Sequence, residues 1–145
     1  KQQNTREAVE LVAPLLADPM LSVRLEAAKA LLGRQPEQLQ KVDSTQLGKA
    51  MQELQQSLLA KADFPETQMV LGGVALTMRN INAANSAFRR AIEMDPQLVD
   101  AWVMLAKIAA AMGDQSAARQ VIQEAVSSNP DNQELRQLLG NNADK

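Results

Sequence analysis

Displacing the sequence against itself by one fixed offset sets Leu71 on Leu105, Ala75 on Ala109, Met78 on Met112, Ala84 on Ala118, Ala91 on Ala125 and Pro96 on Pro130. Conservative pairs fall between them, Phe88 with Ile122 and Ile92 with Val126. Matches at a constant period of this length mark a stacked-repeat architecture, in which each unit buries its apolar face only against a neighbour. No other feature of the chain restricts the fold as tightly.

Each unit carries two apolar stripes at helical spacing. Val70, Leu71, Val74, Ala75 and Met78 form the first, and Ala84, Ala87, Phe88, Ala91 and Ile92 the second. Between them Arg79-Asn80 marks a tight turn, and Gly113-Asp114 holds the same place in the next unit, where a left-handed residue is readily accepted. Asp95-Pro96 and Asn129-Pro130 end the second helices, because proline cannot continue a helix and restricts the residue before it. Each unit is therefore expected to be helix, short turn, helix.

These residues resemble the tetratricopeptide repeat. The first unit shows Leu71-Gly72, Ala84, Phe88, Ala91 and Pro96, and the second Trp102, Leu105-Ala106, Ala118, Ile122, Ala125 and Pro130. A third begins at Leu139-Gly140 and stops, so the segment after Asp131 reads as a capping helix. Gln68 stands in place of the first large residue and Ala106 in place of a glycine, departures expected to matter little. The small residues Gly72, Ala75, Ala84 and Ala91 are read as points of close helix contact. The resemblance implies an all-α, right-handed alpha-alpha superhelix of about seven helices.

Toward the N-terminus, helices are expected from about Thr5 to Ala17 and from about Leu21 to Leu32, joined at Asp18-Pro19. The string Asp18-Pro19, Val23-Arg24, Ala27-Ala28, Leu31 resembles a HEAT-type repeat, with Val23, Ala27 and Leu31 on a buried stripe and Asp18 and Arg24 interacting across the turn. Residues from Arg34 to Val42 read as a loop, after which Asp43 or Ser44 caps a long helix to about Lys61. Ala50 and Leu54 lie one period before Ala84 and Phe88, in register with the repeat. The division is thus a HEAT-like pair over 1–33, a loop and linking helix over 34–63, and two tetratricopeptide units with a cap over 64–145, in one continuous solenoid.

In tetratricopeptide arrays the first helix of each pair lines the concave face. Side chains there that point away from the partner helix are Glu66, Met69, Gly73, Leu76 and Thr77 in the first unit, and Asp100, Val103, Lys107, Ala110 and Ala111 in the second, with Met104 at the border. Members that grip a terminal carboxylate need convergent cationic and amide donors. Here Lys107 is the only cation, and a carboxylate clamp is not expected. Met69, Gly73, Leu76, Thr77, Val103, Met104 and Lys107 instead suggest an apolar groove whose methionines can re-pack around a ligand. Its occupant is expected to be a protein or peptide with an apolar contact surface, or else the groove is filled intramolecularly, by the N-terminal helices or by another domain of the same chain. Self-association through exposed Met and Leu comes next.

Composition sets the exclusions. There is no Cys and no His, so thiolate and imidazole metal sites, disulfides and Cys or Ser-His nucleophiles are absent from the sequence, and no catalytic residue, metal or cofactor is assigned. Net charge is −2 with scattered charges, and the adjacent pair Arg89-Arg90 reads as a solvated helix face, so no nucleic-acid partner is expected. No apolar run is long enough for a membrane span. The chain is read as a non-catalytic interaction or assembly scaffold. A start at Lys1 suggests a piece of a longer bacterial protein. A HEAT-like unit running into such repeats also resembles the C-terminal region of bacterial multihaem cytochrome c-family proteins. That resemblance implies a periplasmic structural tail of an exported electron-transfer protein; without it, the expectation is cytoplasmic.

Overall fold

The computed structural model describes residues 2–143, with side chains for residues 5–141. Among these residues every regular element is helical. The α-helices number eight rather than about seven: α1 Gln2–Val12, α2 Leu21–Leu31, α3 Ser44–Leu59, α4 Pro65–Thr77, α5 Ile81–Met94, α6 Val99–Ala111, α7 Gln115–Ser128 and α8 Gln133–Ala143. The segment after Asp131 forms a full helix of its own, with the Asn132 carboxamide accepting the Leu135 amide at 3.0 Å as its cap.

Two compact units divide the chain. The first comprises residues 1–61 with 73–80, and the second residues 62–72 with 81–145, so α4 contributes to both.

In the first unit the expected helix over Thr5–Ala17 is not one helix. α1 ends at Val12 and the chain tightens into a 3-10 turn over Ala13–Ala17. Pro14 lacks the N–H that an α-helix needs at that point. Asp18 then accepts the Met20 amide at 2.9 Å in the turn just before α2. The expected loop over 34–42 contains another 3-10 turn, Pro36–Leu39, closed by a reciprocal Gln35/Gln38 capping box. Asp43 caps α3 by accepting the amides of Thr45 at 2.9 Å and Gln46 at 3.1 Å. Helix α2 packs on α3 and on the Ala13–Ala17 turn. Leu16, Ala27, Ala28, Leu31, Ala50, Met51 and Leu54 supply the buried side chains there. Val23 is half-buried beside them.

In the second unit each helix packs on the next in sequence, α5 on α6, α6 on α7 and α7 on α8. Nearest-neighbour packing of this kind is what a stacked helical repeat requires. Trp102, Ala125 and Leu135 form one buried cluster of its core, with Ile92, Val99, Val103, Val121, Val126 and Leu138 packed around them.

The repeat is visible down to single hydrogen bonds. At the end of α4 the Asn80 amide donates to the Ala75 carbonyl at 2.8 Å and Arg79 sits at φ 60. At the end of α6 the Asp114 amide donates to the Ala109 carbonyl at 3.0 Å and Gly113 sits at φ 81. These are the same helix-ending motif, one period apart. Gln68 and Trp102 also share a role. Gln68 Nε2 donates to the Ala62 carbonyl and Trp102 Nε1 to the Pro96 carbonyl, both at 2.8 Å and both six residues back. The Gln68 departure therefore keeps the donor while giving up the indole. Asn129 Nδ2 donates to the same Pro96 carbonyl at 2.9 Å and so ties the end of α7 to that turn. In three successive copies, Ala50/Leu54, Ala84/Phe88 and Ala118/Ile122, both members of the pair are buried.

Candidate interaction face

The seven residues predicted to line a groove divide between the two units. Gly73, Leu76 and Thr77 lie in the first, and Met69, Val103, Met104 and Lys107 in the second.

On α4, Thr77 Oγ1 donates to the Gly73 carbonyl at 3.0 Å, so its hydroxyl is satisfied within its own helix. Gly73, Leu76 and Thr77 are all half-buried. A Cβ at residue 73 would lie 3.9 Å and 4.0 Å from the two Leu32 methyls, so α4 at this position faces apolar atoms of the same unit.

On α6, Val103 packs against the Trp102, Ala125 and Leu135 core and is partly a core residue. Met104 is half-buried and Lys107 exposed, and one turn further on Ala110 and Ala111 are exposed as well. An i, i+4 relation puts Val103 and Lys107 on one side of the helix. The face they form is small and apolar, with one ammonium at its edge. Met69, at the equivalent of Val103 in the repeat, is half-buried.

A separate cleft of about 320 Å³ lies in the first unit, lined by Leu16, Ala17, Asp18, Pro19, Arg24, Gln46 and Lys49. Its guanidinium is already engaged. Arg24 Nη1 donates to the carbonyls of Asp18 at 2.8 Å and Pro19 at 3.0 Å, while Nη2 and Nε donate to the Glu53 carboxylate, the shortest at 2.8 Å. Arg24 thus meets Asp18 across the turn through the backbone carbonyl, and its ionic partner is Glu53, which sequence reasoning missed. That hydrogen bond holds the Glu53 carboxyl below its ordinary value, opposed by partial burial and helped by the charges of Arg24 and Lys49. The arrangement braces α2 against α3, and Arg24 has little left to offer an incoming anion.

Among the described residues no group of three His, Cys, Asp or Glu side chains could hold a metal. None of the described helices is long and apolar enough to cross a membrane.

Residues 75–141 match the family model described as tetratricopeptide repeat. The resemblance read from the fixed offset therefore holds over that segment. Two solved structures, both crystal structures of MamA, are similar to the chain. One is 21% identical with a TM-score of 0.55, covering 95% of this chain and 82% of its own. The other is 19% identical with a TM-score of 0.56, covering 96% and 75%. At that identity they show a shared helical fold. No curated protein matches the chain.

Proposed function

We propose that this chain is a non-catalytic interaction or assembly module whose partner is a protein or peptide with an apolar contact surface. The observation behind this reading is the face of α6, where exposed Lys107, Ala110 and Ala111 adjoin half-buried Val103 and Met104 in a tetratricopeptide segment. Of the expected groove residues, Val103, Met104 and Lys107 carry this contact, and Met69, Gly73, Leu76 and Thr77 lie on α4. Small side chains let a partner backbone approach, and methionine adapts to its shape. Another domain of a longer bacterial polypeptide fits this description, as does a second copy of the chain.

Panning the purified chain against a display library of random dodecapeptides tests the reading. Apolar-rich peptides should be recovered, and Met104→Arg with Lys107→Glu should weaken their binding at least about tenfold while helicity is kept. Unchanged binding by the double variant would place the contact elsewhere.

Residues 1–33 are best read as a HEAT-like pair followed by a link over 34–63, and the Arg24 contacts to the Asp18 and Pro19 carbonyls support that reading. On it, a structural tail of an exported multihaem electron-transfer protein is the alternative. A Cys-x-x-Cys-His motif in the same polypeptide distinguishes the two.

A further inference from the structure

Equivalent first-helix positions in the two repeats have different surroundings. Lys107, Ala110 and Ala111 of α6 are exposed, whereas their counterparts one period earlier, Gly73, Leu76 and Thr77 of α4, are half-buried. At position 73 the neighbour is identified, since the two Leu32 methyls lie 3.9 Å and 4.0 Å from where a Cβ would stand. Residues 73–80 also group with residues 1–61 and not with the rest of the repeat segment.

The local backbone accounts for the placement of Leu32. Helix α2 stops at Leu31, Leu32 is extended at φ −64 and ψ 141, and Gly33 turns the chain at φ 76. That turn takes Leu32 off the helix as a single apolar projection. Gly73, with no side chain, leaves a shallow depression in α4 that faces the Leu32 methyls, with room between them for one added methyl at ordinary van der Waals distance.

We propose that the Leu31–Arg34 turn is the resident occupant of the inner face of α4. It acts as an intramolecular ligand on the surface that a tetratricopeptide unit otherwise presents to a partner. The face left for an external partner is then that of α6. This inference concerns occupancy within the chain and stands whether or not a partner is found.

The chain has no cysteine, so an introduced thiol reports one position. Gly73→Cys and Lys107→Cys are compared for their rate of reaction with dithiobis-nitrobenzoate, each normalised to its rate in urea. The Gly73→Cys thiol should react at least about tenfold more slowly than the Lys107→Cys thiol, and adding Leu32→Ala should raise its rate at least about threefold with circular dichroism unchanged. Equal normalised rates overturn the proposal, and so does slow reaction that Leu32→Ala leaves unaltered. If Leu32→Ala lowers helicity, Leu32→Cys is the reporter instead. Filling the depression with Gly73→Phe should speed its reaction, and no change would again overturn the proposal.

Discussion

The ring of Phe88 occupies the space that a side chain at Gly72 would need: a Cβ there would stand 2.5 Å from Phe88 Cζ, 2.8 Å from Cδ1 and closer still to Cε1. Gly72 is buried and Phe88 is 1% exposed, so neither has room to yield. The second repeat divides the volume differently, with Ala106 and Ile122 at the equivalent positions. One added methyl on the first helix is matched by a smaller side chain on the second.

Gly72→Ala should therefore destabilise the chain by about 2 kcal/mol, the usual range for overpacking a filled core and enough to exceed the gain in helix propensity. Phe88→Ile in the same background should recover at least half of that loss, because it recreates the Ala106/Ile122 division. Urea unfolding of the two single variants and the double variant measures the coupling. Additive effects would mean that the two positions do not share one volume.

Gln68→Glu removes the donor that reaches the Ala62 carbonyl and places a carboxylate at a position only 2% exposed. A loss of about 2 kcal/mol is expected at neutral pH, from the unmet carbonyl and the desolvated charge. The loss should shrink in acid as the introduced carboxyl protonates and can donate again. Thermal melts at two pH values check this.

The Arg24–Glu53 pair predicts a pH dependence with a definite sign. Glu53 is held below its ordinary value by the Arg24 hydrogen bond, so its contribution is full above the unfolded-state value and is lost as pH falls through the lowered folded value. Glu53→Gln should melt at a lower temperature than the parent chain at neutral pH. The gap should close as the pH drops below the ordinary glutamate range, and a gap independent of pH would contradict the assignment.

Arg79 holds a left-handed conformation, φ 60, where the second repeat uses Gly113. Arg79→Gly should stabilise the chain by about 0.5–1 kcal/mol, since relief of the Cβ clash outweighs the added freedom of the unfolded chain. Denaturant midpoints at constant slope measure it.

Local and periodic features of this fold were legible in the sequence. The turn at Arg79-Asn80 and the buried Ala/Leu or Ala/Phe pairs follow from spacing alone, because each obeys a fixed offset. The close helix contact expected at Gly72 was legible for the same reason. Contacts that join non-repeating segments were not. Leu32 against Gly73 and Arg24 against Glu53 connect residues with no shared period, and no charge or apolar pattern singles them out. Gln68 departs from the repeat in size, while the structure keeps its hydrogen-bond donor. The candidate face was only partly legible: spacing selected the residues of α4 and α6 but could not tell which helix is already covered.

If α6 presents the binding surface, as proposed, titration of the isotope-labelled chain with a library-selected dodecapeptide should move its amide chemical shifts. The largest shifts should fall on Val103, Met104, Lys107, Ala110 and Ala111. Shifts centred on Arg89, Arg90, Gln123 and Glu124 of α5 and α7, with α6 unmoved, would contradict it.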